Sequence, residues 1–229
     1  AGASAPAGRA HSKSAVKYKA GLPDRFDGVG AENYGYDANG CVTSTPRHTS
    51  IGYQFDAQPT LIDMGGGGKI RIRRHGDQRV VRFRSATNAI RITLGAFEYE
   101  KTSAYTKVIL HLQGPAGRCA QVEKLATGTD ATSLPVFHVH GDHLGSGQAL
   151  TKADGTLLSQ EEFFAYGRSS DRRDTRNRYR FIGVERDEDT GLCMTGPRTH
   201  GPVSGRFLQG DPVVGGAAYV QPREHGLEV

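Results

Sequence analysis

The chain of 229 residues is long enough to bury the core of one large domain. Its 31 glycines, absent tryptophan and 36% hydrophobic content argue against a helical bundle, because glycine inside a helix costs about 1 kcal/mol relative to alanine. No run approaches the roughly 18 consecutive apolar residues of a membrane helix, and the three cysteines, without CxxC spacing, indicate neither a disulfide framework nor a thiolate zinc site.

Residues 1–30 are rich in Ala, Gly, Ser and Lys, lack periodicity and are predicted to be a flexible or extended lead-in. Short runs in which apolar and polar residues alternate follow, separated by turn residues, and this period of two predicts strands. The pattern predicts an all-β sheet, barrel or wrapped shell with few or no helices. The predicted strands are residues 69–74, 79–84, 88–94, 96–100, 107–112, 149–152 and 156–160.

The formal charge of +5 is concentrated in two arginine-rich stretches, residues 69–91 and 168–186. Such stretches can attract phosphate or acidic surfaces. In the first stretch, however, the basic residues alternate with apolar ones, as on the solvated face of a strand. We therefore predict exposed strand faces rather than a nucleic-acid interface. The alternating apolar residues are Ile70, Ile72, Val81 and Phe83.

A short motif occurs twice near the beginning of the chain. Residues 34–40 read Tyr-Gly-Tyr-Asp-Ala-Asn-Gly, and residues 52–57 read Gly-Tyr-Gln-Phe-Asp-Ala. Alternating aromatics place two rings on one face of a strand, and the aspartate closes the following turn through its side chain. The pattern is typical of a repeated hairpin that buries its aromatics by stacking on its neighbours.

The Tyr-x-Tyr-Asp-x-x-Gly unit resembles the YD repeat of the RHS (rearrangement hotspot) family, and later motifs follow the order of the RHS repeat-associated core domain. The resemblance implies a core module over residues 31–212, followed by a degenerate tail at 213–229. The matching segments are 141–146 (GDHLGS), 149–155 (ALTKADG), 161–167 (EEFFAYG), 179–183 (YRFIG), 185–192 (ERDEDTGL), 205–208 (GRFL) and 211–212 (DP).

What the resemblance implies is a long antiparallel strip of hairpins that spirals into a hollow shell around a toxic segment. In many members the core also frees the toxin by aspartic autoproteolysis, and the matching carboxylates here are Asp187 and Asp211. Two nearby carboxylates can divide the work, one as a protonated acid and one as a base that activates water. The family places an arginine nearby, for which Arg173, Arg176 and Arg180 are candidates.

Each aspartate also has a structural interpretation. Asp187 can serve a turn or pair with the adjacent Arg186, and Asp211 can initiate an Asp-Pro turn. The sequence also departs from the family after Leu192, where Cys193 and Met194 replace the usual aromatic pair, and the family's usual segment after Asp-Pro is not recognisable.

A zinc site is a competing hypothesis, since His138, His140, Asp142 and His143 match the HxHxDH signature of metallo-β-lactamase-like hydrolases. Imidazoles and a carboxylate so spaced can hold zinc and activate water. His200, Asp211 and His225 offer the further ligands, but the gaps are short and the helices of that fold are missing. The same residues can instead shape a strand-to-turn transition.

The sequence thus predicts a shell-forming or shell-closing module of a secreted toxin-delivery or cell-surface protein. It is expected to be at most autoproteolytic, with no small-molecule turnover and no cofactor. Expected partners are flanking YD repeats, a cargo or toxin segment, other sheet edges and glycans, with neither nucleic acid nor a membrane span. The alternatives are the zinc hydrolase and a β module that binds glycans or anionic surfaces.

Overall fold

The computed structural model describes residues 16–19, 22–29, 34–75, 78–115, 117–126, 134–169 and 176–211, with only the backbone given for 16–29. These residues form antiparallel sheets, and the only helical piece among them is a 3-10 turn at Phe181–Gly183. The predicted all-β fold is confirmed. Within the same ranges, no helix is long and apolar enough to cross a membrane.

Two short hairpins come first. Strand β1 (Val16–Lys19) pairs with β2 (Leu22–Val29), and β3 (Gly35–Tyr36) pairs with β4 (Val42–Ser44). The first hairpin lies inside the predicted lead-in, where the sequence lacks the alternation that would have indicated strands. The predicted tail at 213–229 lies outside the described residues.

An eleven-stranded sheet follows, in which each strand pairs with the next one along the chain. This arrangement is a strip of consecutive hairpins, so each connection joins two neighbouring strands. Its strands are β5 (Ser50–Tyr53), β6 (Pro59–Asp63), β7 (Lys69–His75), β8 (Gln78–Arg84), β9 (Ala89–Leu94), β10 (Phe97–Lys101), β11 (Thr106–Gly114), β12 (Gly117–Leu125), β13 (Val136–Gly141), β14 (Gly147–Lys152) and β15 (Leu157–Gln160).

The predicted strands correspond to these elements. The runs at 69–74 and 79–84 form the β7–β8 hairpin, although two of its predicted turn residues, Gly76 and Asp77, lie outside the described residues. The runs at 149–152 and 156–160 form β14 and β15. Their turn needs Gly155, whose φ of 83° lies in the left-handed region that favours glycine.

Residues 176–211 form a C-terminal segment that packs against one face of the strip, here called the inner face. The segment contains a four-stranded sheet made of β16 (Glu185–Arg186), β17 (Cys193–Met194), β18 (Thr199–Gly201) and β19 (Arg206–Phe207). Its Leu192, Met194 and Leu208 are buried against the inner face of β5–β7. The strip side of this apolar cluster consists of Ile51, Ile62, Ile70 and Ile72.

The inner face is apolar at both ends of the strip and charged in the middle. A second apolar cluster joins Phe137, Val139 and Leu150 on β13 and β14. Between the two clusters, cross-strand neighbours on β8–β11 carry charges that face inward, such as Arg82, Arg91, Glu100 and Lys107. Directly opposed residues in a sheet share a face, so the register places all of these on the inner face.

The prediction of solvated arginine faces is correct for β7 and wrong for β8. On β7, Arg71 and Arg73 are exposed while Ile70 and Ile72 are buried. On β8 the pattern is inverted, because Arg82 lies opposite Ile72 and is buried, which turns Val81 and Phe83 to the other face. The second stretch is also buried in part, at Arg178, Arg180 and Arg186. The physical reason is that the C-terminal segment supplies carboxylates to the inner face.

The aromatic repeat packs as predicted in its first copy and differs in its second. Tyr34 is buried in the apolar cluster and Tyr36 and Tyr53 pack against it. The carboxylate of Asp37 accepts a hydrogen bond from the Cys41 amide at 2.9 Å, which confirms the predicted turn closure. Phe55 is fully exposed, because it lies in the turn after β5 rather than on the strand.

Candidate functional site

Asp187 lies at the centre of a buried ion network between the strip and the C-terminal segment. Its side chain is fully buried and accepts hydrogen bonds from Arg79 at 2.8 Å and from Arg82. The same carboxylate accepts the backbone amides of Asp189 and Thr190, each at 3.1 Å, and so also closes the turn after β16. Asp187 therefore both closes a turn and forms ion pairs, and its ion-pair partners are Arg79 and Arg82 of β8.

These contacts fix the charge of Asp187. Burial alone would raise the pKa of its carboxyl group, but hydrogen bonds from Arg82 and the charges of Arg79 and Arg82 outweigh that cost. They hold the pKa of Asp187 far below its ordinary value. In this geometry Asp187 is a permanent carboxylate. It has no acidic proton to donate near neutral pH.

A second group of buried charges joins β10 to the C-terminal segment. Arg178 forms ion pairs with both Glu98 and Glu100, whose side chains project from the same face of β10. Burial would raise the pKa of Glu98, but a hydrogen bond from His111 and the charge of Arg178 lower it well below its usual range. Buried charges are tolerated when they are paired and hydrogen-bonded, and this group meets that condition.

His111 extends this group toward β12. Its Nε2 lies 3.0 Å from the Glu98 carboxylate, and its Nδ1 lies 3.2 Å from the Arg118 guanidinium. Arg118 also donates to the Tyr179 carbonyl at 2.9 Å and lies over the Tyr179 ring, with 4.4 Å between the guanidinium carbon and the ring centroid. Burial lowers the pKa of Arg118 to about 10. The network thus joins four strands of the strip, β8, β10, β11 and β12, to the C-terminal segment.

Asp211, the other predicted catalytic residue, lies in a different environment. Its carboxylate pairs with Arg198 at 3.1 Å, and the side chain is 28% exposed. Arg198 in turn stacks on Phe207 of β19, with 3.7 Å between the guanidinium carbon and the ring centroid. The predicted pair therefore consists of one buried carboxylate clamped by two arginines and one partly exposed carboxylate with its own arginine.

Two of the three candidate arginines lie within the described residues, in different environments. Arg173 lies outside the described residues. Arg176 is exposed and lies 5.3 Å from the centroid of the Phe137 ring. Arg180 is buried and pairs with Glu161 at 2.6 Å and with Glu188 at 2.9 Å. The arginines that contact Asp187 are instead Arg79 and Arg82, more than 100 residues earlier in the sequence.

The HxHxDH motif lies at the end of β13 and in the turn after it. His138 and His140 are exposed, and His140 Nε2 lies 3.0 Å from the Thr151 hydroxyl. The Asp142 carboxylate accepts the amides of Leu144 at 2.9 Å and Ser146 at 2.8 Å, as a strand-to-turn residue does. Across the described part of the chain, no group of three or more His, Cys, Asp or Glu side chains is arranged to hold a metal. His143 is exposed and His225 lies outside the described residues.

Sequence reasoning missed the strip side of the ion network. A signal was available in β10, where Glu98 and Glu100 alternate with Phe97 and Tyr99, so that one face is acidic and the other aromatic. Either face could be the buried one, and the apolar face is ordinarily expected inside. The arginines that meet β10, Arg91 on β9 and Arg178 in the C-terminal segment, would have indicated that its charged face is the buried one.

The network predicts a specific dependence of stability on pH. Because the folded-state pKa values of Glu98 and Asp187 are lowered, the unfolded chain binds more protons than the folded one between those values and about pH 5. The urea midpoint should therefore stay nearly constant from pH 7 to about 5 and fall progressively below about pH 4. Glu98→Gln should weaken this acid dependence, and a wild-type midpoint that stayed flat to pH 3 would contradict the assignment.

Comparison with known proteins gives a toxin subunit and a nuclease as similar chains. No protein-family model matches the sequence. Toxin subunit YenC1 of Yersinia entomophaga is 34% identical over 109 residues, which cover 43% of this chain and 11% of that protein. The tRNA3(Ser)-specific nuclease WapA of Bacillus spizizenii is 26% identical over 218 residues, which cover 88% of this chain and 9% of that protein. The chain thus spans about a tenth of the length of these relatives.

Two solved structures that contain TccC3 have a similar fold. The crystal structure of TcdB2-TccC3 matches with a TM-score of 0.66 and 22% identity, over 77% of this chain and 10% of the other. A Photorhabdus luminescens Tc holotoxin pore with a mutated TccC3 matches with a TM-score of 0.67 and 21% identity, over 78% of this chain and 9% of the other. By fold, this chain resembles one small part of a large toxin-complex protein.

Proposed function

We propose that this chain is an RHS-type core module that forms or closes part of a protein shell around a cargo segment, in a secreted or cell-surface toxin-delivery protein. The observation that carries the proposal is the eleven-stranded strip with the C-terminal segment packed on its inner face, in a fold similar to TcdB2-TccC3. The sequence match to toxin subunit YenC1 supports the same assignment.

The open ends of the strip support a role within a larger sheet. Strands β5 and β15 are its edges, and an edge strand presents unpaired backbone groups to any neighbouring strand. Flanking repeats that pair with β5 and β15 would satisfy those groups and continue the strip. Limited proteolysis of the full natural protein tests this part of the proposal. A shell should leave the cargo segment resistant while exposed loops are cut, whereas a cargo cut as fast as those loops would contradict a closed shell.

We further propose that Asp187 and Asp211 carry out self-cleavage in the assembled protein. In this scheme one of the two carboxylates takes a proton from water as the resulting hydroxide adds to the carbonyl carbon of the scissile peptide. The same proton then passes to the leaving nitrogen as the C–N bond breaks.

Asp211→Asn is the informative variant for this scheme, because replacing Asp187 would also disrupt the buried ion network. We expect the wild-type natural protein to yield two masses by intact mass spectrometry and the Asp211→Asn variant to yield one. Asp154→Asn, in the exposed β14–β15 turn, is the matched control and should cleave normally. An uncut wild type, or a cut Asp211→Asn variant, would refute the catalytic assignment while leaving the shell proposal to its own test.

A further inference from the structure

The face of the strip opposite the C-terminal segment, here called the outer face, is largely apolar. Register places a row of aliphatic and aromatic side chains on it, one from each of five consecutive strands, and Leu94 and Phe97 in this row are 64% and 54% exposed. Contiguous exposed apolar surface of this kind marks an interaction site on a folded protein. The row consists of Leu94, Phe97, Leu110, Val122 and Val136.

Two further rows lie beside it, and each contains an apolar stretch with a basic residue at both ends. The shorter stretch, Phe83 and Ile90, lies between Arg71 on β7 and Lys101 on β10, and its row continues to Leu61 and Thr106. The longer row runs from Arg73 on β7 to Lys124 on β12, and its four inner members are Val81, Ile92, Tyr99 and Val108. All four terminal basic residues are exposed.

The outer face has almost no negative charge of its own. Among the described residues of β6–β14, its one carboxylate is Asp63, which already pairs with Lys69 at 3.1 Å. The glutamates of β10 and β12 belong to the inner face, where Glu98 lies opposite Ile109 and Ile109 lies opposite Glu123. The outer face is therefore complementary to a ligand that combines apolar groups with separated negative charges.

The spacing of the basic residues selects the kind of ligand. Neighbouring strands are about 4.8 Å apart, so the basic ends lie about 14 Å apart in the shorter row and about 24 Å apart in the longer one. An extended chain advances about 3.4 Å per residue, so these distances correspond to about four and about seven residues. A polypeptide can match such fixed distances, whereas the surface of an anionic membrane has no comparable spacing.

A second copy of the chain does not fit this face. If two outer faces packed against each other, each row would meet a row that also has basic residues at both ends. Like charges would then face each other in either orientation, which disfavours the pairing.

We propose that the outer face binds an extended polypeptide segment that crosses the strands and carries acidic side chains on both sides of an apolar run. The apolar rows contribute the buried area, and the basic ends fix the position of the segment through its carboxylates. This assignment does not depend on self-cleavage or on closure of a shell.

The test uses two synthetic peptides of identical composition, each with an alternating Leu and Thr run and two glutamates. In the first peptide, seven residues (Thr-Leu-Thr-Leu-Thr-Leu-Thr) separate the glutamates, so that both glutamates and all leucines share one face of the extended segment. In the second peptide, both glutamates are at one end. We expect fluorescence anisotropy to show at least about tenfold tighter binding of the first peptide, which corresponds to about 1.4 kcal/mol. The Arg73→Gln/Lys124→Gln double variant should bind both peptides equally.

Tyr99→Ser should weaken binding of the first peptide, because it removes a half-exposed ring from the middle of the longer row. Phe55→Ser is the matched control, since Phe55 is fully exposed in a turn outside the outer face. The proposal would be overturned if the protein bound the two peptides equally or bound neither. It would also be overturned if the protein bound anionic vesicles more tightly than the first peptide, or formed a dimer that Tyr99→Ser dissociates.

Discussion

Replacing Asp187 with asparagine should lower the free energy of unfolding by about 3–5 kcal/mol, the range typical of a buried ion pair that loses one partner. The carboxylate is fully buried and compensates the charges of Arg79 and Arg82, which are buried with it. An asparagine amide keeps the shape but removes the carboxylate that the two guanidinium groups share, and Glu185 and Asp189 then remain as their separate partners. Urea denaturation at pH 7, followed by circular dichroism, gives the measurement.

Asp211→Asn is the matched control for this prediction. Its carboxylate also pairs with an arginine, Arg198, but both side chains are more than a quarter exposed. Solvent screening limits such a pair to about 0–1 kcal/mol, so the control should unfold close to the wild type. If both variants were equally destabilised, or neither were, the central role of Asp187 in the network would be wrong.

Arg178→Met should have a comparable effect, about 3–5 kcal/mol, through the opposite charge imbalance. Arg178 is the shared counter-charge of Glu98 and Glu100, and all three residues are buried. Without the guanidinium, two neighbouring carboxylates on β10 would remain in a dry interface, and the C-terminal segment would lose its ion pairs with that strand. Increased proteolysis within 176–211 should accompany the lower urea midpoint.

Two further variants separate charge from geometry at this position. Arg178→Lys keeps the charge but lacks the planar guanidinium that reaches both glutamates. We therefore expect its free energy of unfolding to lie between those of the wild type and Arg178→Met. Arg71→Met removes an exposed arginine from β7 and should change stability by no more than about 0.5 kcal/mol. A wild-type midpoint for Arg178→Met would show that β10 and the C-terminal segment are held together by other contacts.

The alternation of side chains determined the strands but not which face of each strand is buried. On β7 the apolar face is the buried one, because Ile70 and Ile72 are buried and Arg71 and Arg73 are exposed. On β10 the charged face is the buried one, because Glu98 and Glu100 are buried while Phe97 and Tyr99 are exposed. A period of two assigns residues to alternate faces, and burial then depends on what packs against each face.

In the candidate site, too, the sequence indicated local features but not the contacts between distant residues. The motifs of the sequence made Asp187 and Asp211 the candidate site residues, which stays a prediction. Local chemistry correctly gave the Asp37 and Asp142 turns, since these need only neighbouring amides. The partners of Asp187 could not be inferred in this way. Arg79 and Arg82 reach it across more than 100 residues, through a contact that exists only when the C-terminal segment covers the strip.

The sequence by itself determined the class of fold, the succession of hairpins and the resemblance to a shell-forming family, because these follow from local patterns of glycine, charge and alternation. Only the tertiary structure decided that charges fill the middle of the inner face and that apolar rows with basic ends cover the outer one. The physical reason is that the C-terminal segment contributes a complementary set of charges to one face. Buried ions are stable only when such partners meet them, and no single strand contains that information.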